Sequence, residues 1–128
     1  MAVPKSLLRG LYLRGSLRNL DIDGDGKPDA FSFSIRNTLA PVNVSAPLAV
    51  KVDATEYPPS AITLRVGETV VKGSDITPER TLLVKVGYEI AFTIESESGL
   101  PPGKHTIEIS VDTMEAGKIS FDVEDELI

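Results

Sequence analysis

The chain of 128 residues contains no cysteine and no tryptophan, and it has a single histidine. Without cysteine the protein cannot form a disulfide framework, a zinc–thiolate site or a cysteine nucleophile. The lone His105 cannot build a histidine metal triad, and no serine stands beside it in a recognisable nucleophile motif. A lone histidine at the start of a strand is typical of a packing or surface residue. The sequence therefore predicts that the chain on its own is not an enzyme.

Long apolar runs and a basic face are also missing. No stretch approaches the roughly 18 apolar residues of a membrane span, and the first ten residues lack the apolar region of a signal peptide. Acidic residues outnumber basic ones by 19 to 13, which gives a net charge of −6, whereas nucleic-acid binding needs a concentrated basic face. We therefore expect a cytoplasmic protein whose partners are neither membranes nor nucleic acids.

What the sequence does have is alternation of apolar and polar residues, which is typical of strands with one buried face. The alternation is clearest at 31–35, 62–66, 90–94, 107–111 and 119–123. Weaker strands are predicted at 11–19, 48–53, 69–72 and 81–86, and one helical turn near 74–79. The predicted core includes Phe31, Phe33, Ile35, Phe92, Ile94, Ile107, Ile109, Ile119 and Phe121.

Eight or nine short strands with regular turns and no long helix predict an all-β fold. We expect one domain over residues 1–128, an antiparallel two-sheet β-sandwich that is immunoglobulin-like or jelly-roll-like. Residues 1–10 are expected to form an N-terminal segment, and residues 125–128 a solvated acidic tail.

The most distinctive stretch is LDIDGDGKPDA at residues 20–30, which holds four aspartates. Carboxylates at alternate positions of a tight loop can converge on one hard cation, and calcium sites use this spacing. The predicted calcium ligands are the carboxylates of Asp21, Asp23, Asp25 and Asp29 and the carbonyl of Lys27. Ser32 stands where an EF-hand has a bidentate glutamate, so a helical EF-hand is excluded.

A hairpin turn without a metal is the alternative interpretation of this loop. Asp-Gly, a strong hairpin signal, occurs at 23–24 and again at 25–26. The stretch DIDGDGKPD resembles the calcium-binding hairpin loops of integrin-type propeller repeats, in which the loop joins two strands. That resemblance implies calcium of weak to moderate affinity. Both interpretations stay open, and a hairpin is expected in either.

Several segments resemble, in order, the small β subunit of C-glycoside deglycosidases and its uncharacterised relatives. They are GSLRN at 15–19, FSFSIRN at 31–37, LAVKVDATEYPPSAI at 48–62, LRVGETVVKGSDI at 64–76, VGYEIAFTI at 86–94 and GLPPGKHTIEIS at 99–110. The resemblance implies a β-sandwich accessory subunit. Its larger barrel-type partner would carry the metal and the acid and base groups that eliminate an oxidised sugar.

Two functions are consistent with these observations. The first is an accessory subunit that binds a larger catalytic subunit or associates with itself, through loops that carry apolar residues and prolines. The predicted contact residues are Leu39 and Pro41, Tyr57 and Pro58, and Leu100 and Pro101, although the same loops can be ordinary rigid turns. The second is a stand-alone, calcium-stabilised module that binds carbohydrate or protein. Because aromatic residues are scarce, a strong sugar-binding platform is not expected.

Overall fold

The computed structural model describes residues 5–46 and 49–127. Within these ranges the chain forms eleven strands, one short helix and two 3-10 turns. The helix α1 is Lys5–Arg9, and the 3-10 turns are Pro59–Ala61 and Gly73–Asp75. The strands are β1 (Arg18–Leu20), β2 (Ala30–Arg36), β3 (Val42–Val44), β4 (Ala49–Val52), β5 (Thr55–Tyr57), β6 (Ile62–Val66), β7 (Thr69–Lys72), β8 (Leu82–Val84), β9 (Glu89–Glu95), β10 (Gly103–Thr113) and β11 (Gly117–Leu127).

Two antiparallel sheets form the molecule, which confirms the predicted all-β sandwich. Sheet A has the strand order β1-β2-β9-β6-β7. In sheet B the long strand β10 pairs with β11 over its whole length and, on its other side, with β4 and then β3. Strands β5 and β8 extend sheet B beyond β4 and β3. The strand number is higher than predicted because β3 and β5, with three residues each, are too short to show alternation.

The core between the sheets contains the residues that the alternation predicts. Phe31, Phe33 and Phe92 are almost completely buried, and the rings of Phe33 and Phe92 stack with centroids 4.8 Å apart. Of the nine predicted core residues, only Ile119 is half-buried rather than buried. Ile119 lies near an open end of the sandwich, where the covering layer is incomplete.

The N-terminal segment is more structured than predicted. Helix α1 packs Leu8 into the core, and the Arg9 guanidinium donates to the Asp122 carboxylate of β11 at 2.9 Å. A five-residue helix is too short to produce a periodic apolar pattern, so the sequence does not reveal it. The weak strand expected at 11–19 is reduced to β1 and an isolated bridge between Tyr12 and Ile35.

The predicted acidic tail at 125–128 is wrong for residues 125–127, which belong to β11. Asp125 is buried, and its carboxylate accepts hydrogen bonds from the Tyr12 hydroxyl at 2.6 Å and from the N–H groups of Gly15 and Leu17. Burial acts to raise the pKa of Asp125, but these hydrogen bonds outweigh it and lower the pKa. Asp125 therefore fixes the N-terminal segment across the edge of sheet B. Ile128 and residues 1–4, 47 and 48 lie outside the described residues.

No helix in the described ranges is long and apolar enough to cross a membrane. The cytoplasmic location stays a prediction.

Candidate functional site

The aspartate-rich loop connects β1 to β2, as the hairpin interpretation predicts. It closes with a hydrogen bond from the Asp29 N–H to the Leu20 carbonyl at 2.9 Å. Gly24 and Gly26 have φ angles of 78° and 87°, which residues with a side chain adopt at a cost. These glycines allow the chain to turn twice within the loop.

The aspartate side chains of this loop accept hydrogen bonds from its own backbone. Asp21 accepts from the N–H groups of Gly24 and Gly26, both at 2.8 Å. Asp29 accepts from Ile22 at 2.7 Å and from Asp23 at 3.2 Å. Backbone N–H groups therefore supply part of the positive charge that four neighbouring carboxylates need.

Three of the predicted metal ligands come together in this loop. One carboxylate oxygen from each of Asp21, Asp23 and Asp29 lies within 4.8 Å of the others. Asp25 is outside this group, and its carboxylate accepts the Lys27 N–H at 2.8 Å. The oxygen donors suit calcium, but exposed acidic clusters of this kind are common without a metal. Calcium binding by Asp21, Asp23, Asp25, Lys27 and Asp29 stays a prediction.

The carboxylates of this loop influence one another's titration. The N–H groups of the loop, first that of Gly26, hold the pKa of Asp21 below its usual value. Asp23 differs: the Asp25 N–H lowers its pKa, but Asp21 and the negative charge of Asp29 outweigh that effect and raise it. The loop therefore gathers negative charge that a bound cation would relieve.

A second feature is a cleft of about 300 Å³ between the two sheets at one end of the sandwich. Strands of both sheets and helix α1 contribute apolar side chains to its wall. They include Leu8, Ile35, Val44, Val84, Ile90 and Val111. The segment between β2 and β3, which crosses from one sheet to the other, also lines the cleft through Asn37, Leu39 and Pro41.

The polar groups that line the cleft are held by other parts of the chain. The Asn37 side-chain amide donates to two backbone carbonyls. The Thr113 hydroxyl donates to the Gly117 carbonyl at 3.0 Å. The Glu115 carboxylate accepts both the backbone and the side-chain N–H of Asn43, at 2.8 Å each, which lowers its pKa. What the cleft offers to an occupant is therefore mainly apolar surface.

Exposed apolar residues lie on the wall of this cleft or next to residues that line it. Leu39 lies on its wall and is 42% exposed. Val86 and Tyr88 flank Gly87 in a turn that is hydrogen-bonded to Asn37, and exposed Met114 adjoins Glu115 of the lining. We call the cleft together with Leu39, Val86, Tyr88 and Met114 the apolar end. Apolar surface that is exposed beside an open apolar cleft is typical of an interaction site.

Of the three predicted contact pairs, only Leu39 and Pro41 belong to the apolar end. Tyr57 is half-buried and packs its ring edge-on against Phe31, with centroids 5.3 Å apart. Leu100 is buried in the core cluster, and the Asn19 side chain holds its backbone N–H and carbonyl at 2.9 and 2.8 Å. The expectation that Tyr57 and Leu100 are exposed contact residues is therefore wrong, although Pro58 and Pro101 are exposed.

His105 is a buried structural residue at the start of β10. Its Nδ1 contacts the Asp53 carboxylate, and its Nε2 lies 2.7 Å from the Pro101 carbonyl oxygen. Since a carbonyl and a carboxylate only accept hydrogen bonds, both ring nitrogens must donate, which requires the imidazolium form. With both nitrogens occupied, His105 is not free to act as a general base.

A family model, hydroxymethylglutaryl-CoA reductase, N-terminal domain, matches residues 7–128. The chain belongs to this family. The match covers nearly all of the sandwich, including every described strand. No curated protein matches the chain.

Membership in the hydroxymethylglutaryl-CoA reductase N-terminal domain family corrects the resemblance drawn from the sequence. The chain is not identified as a small β subunit of C-glycoside deglycosidases. The segments behind that resemblance overlap β1, β2, the β4–β7 region, β9 and β10. Alternating strands followed by Gly or Pro turns recur in many β-proteins, so short segments of this kind do not distinguish one sandwich family from another.

Proposed function

We propose that this chain is a non-catalytic β-sandwich domain that associates with a larger catalytic chain through its apolar end. The observation that carries the proposal is the coincidence of the open cleft and the exposed side chains of Leu39, Val86, Tyr88 and Met114 at one end of the molecule. The centre of a protein interface is apolar and depleted in charge, and this end has that composition.

The name of the family supports the same function, since it describes an N-terminal domain of an enzyme. We take the partner to be the catalytic part of a hydroxymethylglutaryl-CoA reductase. The chemistry of the cleft fits a protein segment with aliphatic or aromatic side chains, because its polar lining groups are already hydrogen-bonded. The state of His105 also supports a non-catalytic domain, since both of its ring nitrogens are engaged.

Carbohydrate binding is less well supported. The three tyrosines are the only large aromatic residues besides phenylalanine. Tyr12 is buried, Tyr57 is half-buried against Phe31, and only Tyr88 is well exposed. A sugar ring needs exposed aromatic faces to stack on, and one exposed tyrosine in a turn does not make a platform.

The test is co-purification of the tagged chain with its partner from the native host. We expect the wild-type chain to retain the catalytic reductase chain, and the Leu39→Asp variant to lose it. Leu39 is 42% exposed, so the substitution leaves the core intact but places a charge at the centre of the interface. Light scattering on the purified chain tests self-association at the same time.

Val70→Asp is the matched control. Val70 is also an exposed apolar residue, at 61%, but it lies on edge strand β7 and does not line the cleft. Retention of the catalytic chain by Val70→Asp and its loss by Leu39→Asp would support the proposal. Equal retention by both variants, or a clean self-dimer with no catalytic chain bound, would contradict it.

A further inference from the structure

The outer face of sheet A carries an ordered array of polar side chains. Strand register places Arg18 of β1 beside Ser32 of β2, and Ser32 beside Thr93 of β9. The next row places Ser34 beside Ala91, and Ala91 beside Arg65 of β6. Because alternate residues of a strand point to the same face, hydroxyl groups form the middle of this array and the two arginines stand at opposite sides.

These two rows line a cleft of about 400 Å³, separate from the cleft at the apolar end. We call it the outer cleft. The small side chain of Ala91 leaves a depression between Ser34 and Arg65. The N-terminal segment, through Leu13 and Ser16, forms its far wall.

Three hydroxyl groups of the outer cleft have no protein partner in the described part of the chain, whereas that of Ser16 accepts the Ser34 N–H at 3.1 Å. Within the described ranges, the side-chain oxygens of Ser32, Ser34 and Thr93 make no hydrogen bond. Ser32 is only 8% exposed. No buried side-chain oxygen or nitrogen of the described residues lacks a hydrogen-bond partner, so the unpaired Ser32 hydroxyl is open to the cleft and free to donate to a ligand there.

The charge of the outer cleft is positive, although the whole chain has a net charge of −6. Of the described residues that line it, Glu89 alone is acidic, and its carboxylate is paired with Arg36 at 2.6 Å. Arg18 makes no ion pair in the described part of the chain. Arg65 uses only its Nε, which donates to the Gly67 carbonyl at 3.3 Å. The terminal nitrogens of both guanidinium groups are therefore free to bind an anion.

We propose that the outer cleft binds a phosphate group carried by a small molecule. A phosphate presents several oxygen acceptors and negative charge to the two guanidinium groups, whose planar donors match it well. The hydroxyls of Ser32, Ser34 and Thr93 supply the further donors that a tetrahedral anion can use. A nucleic acid is not the expected source, because two arginines in one depression do not form the extended basic face that a polyanion needs.

The experiment is an NMR titration of the whole isotope-labelled chain with inorganic phosphate. We expect saturable shifts of the Arg18 and Arg65 side-chain Nε–H signals and of the Ser32 and Thr93 backbone amides. Acetate at the same ionic strength, which has one charge and two oxygens, should bind at least about tenfold more weakly. Sodium chloride provides the baseline for non-specific screening.

Arg65→Gln and Ser32→Ala are the test variants, and Arg80→Gln is the control. Arg80 lies in an exposed turn after β7, so its substitution makes the same change in charge outside the cleft. Loss of one charge-assisted hydrogen bond should weaken phosphate binding about tenfold in Arg65→Gln. Ser32→Ala removes a hydroxyl without a protein partner, so it should weaken phosphate binding while the melting temperature stays unchanged.

The outcomes that would overturn the proposal are specific. One is that phosphate gives no saturable shifts, only the same changes that sodium chloride gives at equal ionic strength. Another is an equal loss of binding in Arg80→Gln and Arg65→Gln, which would mean a general charge effect. A third is a lower melting temperature for Ser32→Ala with unchanged phosphate affinity, which would make Ser32 a packing residue only.

Discussion

Replacing His105 by leucine should destabilise the domain in a way that depends on pH. The side chain is 5% exposed and joins three segments, the Asp53 turn after β4, the Pro101 loop and the start of β10. Leucine has a similar volume but no N–H group, so the substitution removes both hydrogen bonds while the site stays filled. Asp125 of β11 stands opposite His105 in the register, and its carboxylate is already held by Tyr12 and by backbone N–H groups.

The magnitude follows from the two hydrogen bonds that are lost. A hydrogen bond to a charged group contributes about 1.5–3 kcal/mol. The Asp53 side chain is 46% exposed, so water replaces much of the hydrogen bonding that its carboxylate loses. The Pro101 carbonyl also loses its hydrogen-bond donor. We expect the free energy of unfolding to fall by about 2–3 kcal/mol near pH 5.5, and by only about 1 kcal/mol near pH 9.

The direction of this pH dependence follows from the two pKa shifts. Burial acts to lower the pKa of His105, but the Pro101 carbonyl and the Asp53 carboxylate outweigh it and raise the pKa above 6.5. The contribution of His105 is therefore complete below pH 6.5 and is lost as the pH rises through the raised value. The Thr106 N–H and then His105 lower the pKa of Asp53 below 3.8. Its contribution is present above pH 3.8 and is lost as the pH falls through the lowered value.

Urea denaturation of the wild type and the His105→Leu variant, each at several pH values between about 4 and 9, measures the effect. Other titrating groups largely cancel in the difference between the two proteins. If that difference stays constant from about pH 5.5 to about pH 9, the pKa of His105 is the same in the folded and the unfolded state, and the reasoning from its two acceptors fails.

Three further results are expected. Phe33→Ala should lower the free energy of unfolding by about 3–5 kcal/mol in urea denaturation, because the ring is 1% exposed and stacks on Phe92; a loss below about 1 kcal/mol would contradict the stacked core. If the aspartate loop binds calcium, calcium at about 100 times its Kd should add about 2.7 kcal/mol of stability in thermal melts. The Asp23→Asn substitution should remove this response. An unchanged melting curve at millimolar calcium would mean that the loop is a hairpin turn without a metal. Asp125→Asn should speed hydrogen exchange in the segment after α1, since the buried carboxylate that accepts from Tyr12 is neutralised; exchange rates equal to those of the wild type would show that the segment is held by other contacts.

The strands of the core could be predicted because their alternation is local and long enough to read. Phe31, Phe33 and Ile35 fall on one face of β2 whatever the strand pairs with, and the same holds for β9 and β10. The fold class follows from these strands and the turns between them. The family did not follow, since alternation describes a strand and not the protein that contains it.

The features that depend on distant segments could not be predicted. The charges of the C-terminal residues indicate a solvated tail, and nothing near Asp125 in the sequence shows that Tyr12 and Leu17 pack against it. Both clefts also need the register of several strands. Arg18 and Arg65 are 47 positions apart in the sequence, and they share the outer cleft only because β2 and β9 lie between their strands.

Hydrogen–deuterium exchange on the complex with the catalytic reductase chain tests the proposed association most directly. Binding through the apolar end predicts slower exchange in the peptides that contain residues 38–41, 86–88 and 114–116, compared with the free domain. Peptides of β7, including Val70, should exchange at the same rate in both states. Protection confined to the outer face of sheet A or to the aspartate loop, with 38–41 and 86–88 unchanged, would contradict the account.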